Sequence, residues 1–184
     1  MKYIKFALYL LVIHWLSSAA AGAYEDFFQA TRVDNPSVVR ALLARGFDPN
    51  AVDEKGQPAL TLALRDGSRQ VGEMLLAHPA IQVDQANVAG ETPLMMALLK
   101  GHTGMARRLI ERGAAINRPG WSPLHYAASG PDAGLVQVLI ERGAAIDARS
   151  PNGTTPLMMA AQYGPEDAVQ LLIARKADAS QRND

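Results

Sequence analysis

Apolar positions in this 184-residue chain recur in short segments that come in pairs. One segment of each pair follows a short phrase that contains proline and ends in leucine. These leucines lie 34, 30 and 33 residues apart, at Leu60, Leu94, Leu124 and Leu157. The other segment carries adjacent leucines or isoleucines, at 75–76, 109–110, 139–140 and 171–172. A unit of about 33 residues with a turn and two helices cannot bury its own apolar face, so the pattern predicts copies that stack into a solenoid.

The unit that contains Leu94 shows how each helix is expected to begin and end. Thr92 suits the N-cap, and Pro93 follows at the first helical position, where a missing N–H costs nothing. Gly101 and Gly113 then stand where the first and the second helix must end. The sequence therefore predicts a helix-turn-helix unit with a glycine after each helix.

One hexapeptide resembles a known family. Ser122-Pro123-Leu124-His125-Tyr126-Ala127 nearly matches the Thr-Pro-Leu-His-x-Ala phrase of ankyrin repeats, and the resemblance extends over about residues 24 to 180. It implies an all-α ankyrin repeat solenoid of about five units with short β-hairpin fingers between units. The expected domains are a leader over 1–23 and a repeat domain over 24–184, with units at approximately 24–52, 53–86, 87–118, 119–149 and 150–184.

The chain departs from this pattern in three places. The loop from Asn117 to Leu124 is 7 residues long where its counterparts have 10, so the finger entering the fourth unit is predicted to be truncated. Lys176 replaces the glycine that should close the last helix, and a turn at Pro79 replaces the corresponding glycine in the second unit. These changes alter local geometry without changing the expected fold.

The first 23 residues read as a secretory signal peptide. Lys2 and Lys5 form a short basic start, residues 6–16 are largely apolar, and small residues follow up to Ala23. Cleavage after Ala21 or after Ala23 fits the small-residue rule. The alternative is an uncleaved anchor, although an apolar run of 11 residues is short against the roughly 20 that span a bilayer. With the resemblance to bacterial periplasmic ankyrin proteins, the leader predicts a protein of the periplasm or one that is secreted.

The net charge of the chain limits the classes of partner that we expect. The chain has 18 basic and 18 acidic residues, and removal of Lys2 and Lys5 with the leader leaves 16 basic residues against 18 acidic ones. Such a surface has no general affinity for nucleic acid or for an anionic membrane. The chain has no cysteine, although its predicted compartment permits disulfides. We expect a monomer that binds a protein partner. We also expect it to bind no nucleic acid, no cofactor and, after signal cleavage, no membrane.

The sequence offers little catalytic chemistry. It contains no nucleophile elbow, zinc-protease motif, phosphate loop or dinucleotide fingerprint. His102 and His125 stand where the ankyrin pattern itself carries histidine, which implies hydrogen bonds that hold turns and neighbouring units. The methionine pairs at 95–96 and 158–159 occupy matching positions two units apart. They are interpreted as core filler, with a metal-binding or oxidation-sensing site as the alternative. We therefore predict that the protein is not an enzyme.

The resemblance also implies where a partner binds. In ankyrin arrays the finger loops and the C-terminal ends of the first helices form a surface that we call the concave face. The candidate partner-binding residues there are Glu54, Lys55, Arg65, Val88, Leu99, Lys100, Trp121, Asn152, Gln162 and Tyr163. Trp121 and Tyr163 are the types that most often anchor protein interfaces. The alternative for Trp121 is that it covers the gap left by the shortened finger.

These observations predict an exported protein-protein interaction module that uses the concave face. The alternative function is a structural or protective protein of the envelope without a single specific partner. Such a protein would show no preference for the face around Trp121.

Overall fold

The computed structural model describes residues 21–184, and every regular element in that range is a helix. Helix α1 includes residues 21–32. The helices that follow in chain order are α2 Pro36–Ala44, α3 Ala59–Asp66, α4 Arg69–Ala77, α5 Pro93–Leu99, α6 Thr103–Glu111, α7 Pro123–Ser129, α8 Ala133–Glu141, α9 Pro156–Tyr163 and α10 Glu166–Ala174. The expected all-α repeat solenoid is thereby confirmed. The predicted signal peptide falls almost entirely on residues 1–20, which lie outside the described residues.

The first helices of successive units form one continuous stack. Helices α3, α5, α7 and α9 pack on one another in that order, and each also packs on the helix that follows it in the chain. The four leucines of the repeated phrase are all buried in this stack. A single helix pair cannot bury its apolar surface alone, so each unit buries it against its neighbours. This stacking explains why the apolar pattern repeats with the length of one unit.

The predicted core side chains are buried in the middle of the array and less so at its last unit. Met95 and Met96 are buried, whereas Met158 and Met159 at the matching positions are only half-buried. In the second helices Leu172 is buried, but its neighbour Leu171 is half-buried against the core. Within the described chain α9 and α10 are packed by earlier helices on one side, which explains the difference.

Three first helices begin with a hydroxyl-bearing N-cap and a proline. Thr92 and Thr155 accept hydrogen bonds from the backbone N–H three residues later, which belong to Met95 and Met158. The sulfur of each methionine in turn accepts from the backbone N–H of its threonine at 3.4 Å. In the fourth unit His125 takes the place of the methionine, and its Nδ1 accepts from the backbone N–H of the N-cap residue Ser122 at 3.1 Å. The cap is thus formed by residues three positions apart; the sequence predicts the threonine cap and the proline, whereas the bond to the methionine sulfur was not predicted.

The second unit lacks this cap and leaves a buried hydroxyl without a partner. Its N-cap is Pro58, which has neither a backbone N–H nor a hydroxyl group, and Thr61 occupies the position of Met95. The side chain of Thr61 is fully buried, and its Oγ1 has no hydrogen-bond partner. A buried polar group without a partner destabilises the folded state.

Replacement of Thr61 by valine should therefore raise the free energy of unfolding, by about 1 kcal/mol. Valine keeps the shape of threonine and removes the hydroxyl that has no partner. Thr31 provides a matched control, because it is equally buried but its Oγ1 donates to Phe27 O at 2.8 Å. Thr31→Val should lower stability by a similar amount. Urea denaturation of the two variants measures both effects, and a loss of stability in Thr61→Val would contradict the assignment.

Four of the five described second helices are followed by a residue with left-handed backbone, which favours glycine, whereas α4 is followed by His78 at φ −67°. Gly46, Gly113 and Gly143 take φ angles of 89°, 88° and 87°. Lys176 stands at the same point after α10 and takes φ 67°. A residue with a Cβ atom is strained in this conformation, so Lys176 destabilises the last unit relative to glycine.

Lys176→Gly should relieve that strain and stabilise the protein by about 1 kcal/mol. The reverse change, Gly143→Lys, should destabilise it by a similar amount, since an added Cβ at Gly143 meets open space and only the backbone conformation resists it. Thermal unfolding of the two variants should move the midpoint in opposite directions. Equal midpoints for parent and Lys176→Gly would contradict the strain.

The finger loops, which span residues 53–57, 87–91 and 150–154, share one arrangement. In the first of them Asp53 N donates to Gln57 O at 2.9 Å and Gly56 N donates to Asp53 O at 2.8 Å. The other two loops repeat both bonds. Within the described residues, the one isolated antiparallel bridge joins Val52 to Pro58. The fingers are therefore tight turns, and the short loop before α7 lacks the two bonds in the part of the chain that is described.

Candidate functional site

Glu54 and Lys55 lie at the tip of the first finger loop, and both are exposed. The loop owes its shape to Asp53, whose Oδ1 accepts from the backbone N–H groups of Lys55 and Gln57. The other oxygen of Asp53 pairs with the guanidinium of Arg32 on α1 at 2.8 Å. This ion pair ties the finger loop to the first helix of the array.

A cleft of about 430 Å³ lies next to these residues, and the sequence did not predict it. It is lined by Tyr24 and Phe28 of α1 and by Glu54 and Lys55 of the finger loop. The hydroxyl of Tyr24 donates to Val52 O at 2.6 Å, and burial raises the pKa of this phenol. The nearest signal in the sequence was the aromatic content of the first helix, which gives no indication of a cleft.

Arg65 and Lys100 occupy the C-terminal ends of α3 and α5, and both are exposed. The guanidinium of Arg65 donates to Asp66 at 2.8 Å, and this hydrogen bond is the main reason that its pKa is raised. Asp53 and Glu91 also act on Arg65 through their charge. The charge of Arg65 is therefore compensated locally by Asp66.

Val88 and Leu99 are both candidate partner-binding residues, but their side chains differ in exposure. Val88 is 81% exposed at the tip of the second finger loop. Its Cγ1 lies so close to Gly56 of the preceding finger that a Cβ added there would come within 2.4 Å of it. Leu99 is half-buried and packs against the core. The structure thus offers Val88 for contact more fully than Leu99.

Trp121 is 37% exposed in the shortened loop before α7. Its ring meets the imidazole of His125 edge to face, with centroids 5.3 Å apart. One side of the indole therefore packs on the array, which supports the covering role. The remaining exposed surface is available for a partner, so the two interpretations of Trp121 are compatible.

Asn152, Gln162 and Tyr163 belong to the last unit, and all three are exposed. Tyr163 ends α9 and is 63% exposed. Asn152 lies in the third finger loop, where its Oδ1 accepts from the hydroxyl of Ser150 and from Thr154 N. The backbone carbonyl of Asn152 accepts from Asp184 N at 3.1 Å, so the end of the chain lies against this finger.

Hydrogen bonds join Gln57, Asn87, Glu91 and Tyr126 across three units, and the sequence did not predict them. Asn87 Nδ2 donates to Gln57 Oε1 at 3.1 Å and to Glu91 Oε2 at 2.7 Å. The hydroxyl of Tyr126 donates to the other oxygen of Glu91 at 3.2 Å. Burial, followed by the charge of Glu91, raises the pKa of Tyr126 to about 12. The network spans three units, and no motif in the sequence marks it.

The two histidines of the repeat pattern hold neighbouring units together. His102 Nε2 lies 3.0 Å from Leu64 O of the preceding unit. His125 Nε2 lies 2.9 Å from Thr154 O of the following unit, and Ser122 N donates to His125 Nδ1 at 3.1 Å. The ring of His125 is fully buried, and this burial lowers its pKa. The predicted structural role of both histidines is confirmed by these contacts.

Residues 21–184 contain no group of three or more histidine, cysteine, aspartate or glutamate side chains placed to hold a metal ion. A search of the same residues finds no helix with the length and apolar character needed to cross a membrane.

Comparison with known families agrees with the geometry. The family of ankyrin repeats (3 copies) matches residues 27–119 and 115–183. The chain belongs to the ankyrin repeat family. Ankyrin repeats are protein-interaction modules, and the family is typically non-catalytic.

Several curated proteins resemble this ankyrin repeat chain. YahD of Escherichia coli (strain K12) is 31% identical over 149 residues, which are 78% of this chain and 59% of that protein. An ankyrin repeat-containing protein of Treponema pallidum (strain Nichols) is 35% identical over 96 residues, 51% of this chain and 32% of that protein. The poly [ADP-ribose] polymerase tankyrase of Caenorhabditis elegans is 43% identical over 70 residues, 36% of this chain. The chain spans only 3% of the tankyrase, so this similarity concerns repeats alone.

Proposed function

We propose that this ankyrin repeat protein is exported and binds a specific protein partner through the concave face. The observation that carries the proposal is the exposure of Val88, Trp121 and Tyr163 on successive units of that face. Aromatic side chains that are already ordered can anchor a partner with little loss of entropy. Trp121 is held in this way by His125, which is itself tied to the next unit.

The distribution of charge supports the same part of the face. Arg65 is paired with Asp66 and Arg32 is paired with Asp53, so two arginines of the first units already have a counter-charge within the chain. The later units present the two aromatic residues instead. A partner that places apolar side chains against Trp121 and Tyr163 and polar groups around them fits the usual division between the core and the rim of an interface.

The double variant Trp121→Ala, Tyr163→Ala should lose the partner. Affinity capture with the purified chain from an extract of the producing cells, read by mass spectrometry, identifies candidates. The affinity of each candidate is then measured with parent and variant. We expect a loss on the order of 100-fold for two anchors. Ile173→Ala is the matched control, because Ile173 is an apolar residue, 55% exposed, that lies on α10.

Two outcomes would contradict this assignment. If the double variant and Ile173→Ala bind alike, the partner does not use the concave face. If no protein is enriched by the parent, a specific partner is refuted, and the structural or protective role in the envelope gains support.

Export is a separate part of the proposal and rests on the leader over residues 1–23. Fractionation of producing cells should place the protein outside the cytoplasm. N-terminal sequencing of the exported form should begin at Gly22 or Tyr24, for cleavage after Ala21 or Ala23. Recovery of the uncleaved chain in the cytoplasm would refute export, and recovery of the uncleaved chain in the membrane would favour the anchor.

A further inference from the structure

Met158 and Met95 have the same role in two different units. Each is the third residue of a first helix, and each places its sulfur 3.4 Å from the backbone N–H of the threonine that caps that helix. The backbone N–H of each methionine donates to the hydroxyl of the same threonine. The thioether therefore completes the cap in the place where the fourth unit uses a histidine nitrogen.

The two methionine residues differ in their exposure to solvent. Met95 is 1% exposed, because α5 is packed between α3 and α7. Met158 is half-buried, because among the described helices α9 packs mainly on α7 and α10. The same local geometry thus occurs once in a closed and once in an accessible environment.

We propose that Met158 is a methionine oxidation site at which hydrogen peroxide modifies the cap of α9. A lone pair of the thioether sulfur attacks one oxygen of the peroxide, an S–O bond forms and the O–O bond breaks. The leaving hydroxide takes up the proton of the transferred oxygen, so the products are the sulfoxide and one water molecule. The sulfur is oxidised and the peroxide is reduced, and a methionine sulfoxide reductase restores the thioether.

The sulfoxide changes the cap because its S=O group is more polar and bulkier than the thioether sulfur of Met158. With oxygen attached, the sulfur no longer fits at its present distance from Thr155 N, and the side chain turns toward the accessible side of α9. Thr155 N then loses its acceptor, and the first turn of α9 is weakened. Gln162 lies four residues further along, on the same side of the helix as Met158. Any effect on partner binding rests on the proposed function, but the oxidation itself does not.

The test exposes the full chain to hydrogen peroxide and follows each methionine by peptide mass spectrometry. We expect Met158 to be oxidised on the order of 10-fold faster than Met95. The oxidised protein should unfold at a midpoint lower by about 2–4 °C, and treatment with both methionine sulfoxide reductases should restore it. No partner is needed, so this result is independent of the proposed function.

Two conservative variants separate Met158 from the other half-buried methionines, Met74 and Met159. Leucine replaces methionine in a core with little change in volume, so both Met158→Leu and Met95→Leu should fold. Met158→Leu should abolish the peroxide-induced shift in the midpoint, and Met95→Leu should leave it unchanged. Equal oxidation of Met95 and Met158 would overturn the proposal, and so would a full shift in Met158→Leu.

Discussion

Replacement of Gly164 by alanine is expected to lower the free energy of unfolding by about 3 kcal/mol. Gly164 follows α9, and an added Cβ would lie 2.1 Å from the backbone oxygen of Ala128 on α7. Its φ angle of −88° suits any residue, so the obstacle is the neighbouring backbone. The two first helices would have to move apart to make room.

Gly130 tests the same contact one unit earlier. A Cβ added there would lie 2.4 Å from the backbone oxygen of Leu98 on α5, so Gly130→Ala should cost a similar amount. Gly104→Ala is the control, because Gly104 lies in α6 with nothing within 4 Å of an added Cβ. That change should raise stability by about 0.5 kcal/mol, as expected for alanine in a helix. If Gly164→Ala is as stable as the parent in urea denaturation, the close approach is wrong.

His125→Ala is the second change with a large expected effect, a loss of about 3 kcal/mol. It opens a cavity in the fully buried site, leaves Ser122 N without the imidazole that accepts from it, and leaves Thr154 O with the bond from Ser150 N alone. His102→Ala removes one bond from a half-buried ring and should cost about 1 kcal/mol. Urea denaturation compares the two. Similar losses for both variants would show that burial of His125 contributes nothing.

The same histidine makes stability depend on pH. Burial lowers the pKa of His125 in the folded protein, so below pH about 6.5 the unfolded chain binds a proton that the folded chain does not. Stability should therefore fall as pH decreases from about 7 to 5, with a contribution of at most about 1.4 kcal/mol per pH unit. Protonation of Nδ1 would also place a proton against the N–H of Ser122.

The variant His125→Gln should reduce this pH slope, since glutamine does not titrate. Thr61→Val changes no titratable group and should retain the slope of the parent. Chemical denaturation at several pH values between 5 and 7 measures both. An unchanged slope in His125→Gln would refute a lowered pKa as its source.

Much of the fold could be predicted because its signals are local. Thr92 and Pro93 start a helix through groups within three residues of each other, so a short phrase is sufficient to recognise the cap. The period of the buried leucines implies stacking, because one unit cannot cover its apolar face alone. The truncated loop before α7 also followed from counting residues between Asn117 and Leu124.

The candidate site was less predictable, because exposure depends on neighbouring units. Leu99 and Val88 were both placed on the concave face by their positions in the repeat. In the structure Leu99 packs against the core, whereas Val88 is exposed at the tip of its finger loop. The hydrogen bond between Asn87 and Gln57 joins residues 30 positions apart, and the one between Tyr126 and Glu91 joins residues 35 positions apart. Such contacts require the units to be stacked before they can be seen.

The ankyrin repeat, most helix ends and most core residues could be predicted from the sequence alone, because these depend on neighbours along the chain and on a regular period. The folded chain was needed to show that Gly164 lies against the backbone of Ala128, that Thr61 Oγ1 lacks a partner and that Met158 is more exposed than Met95. Equivalent positions in a repeat share local geometry, but their environment is set by the units packed on either side.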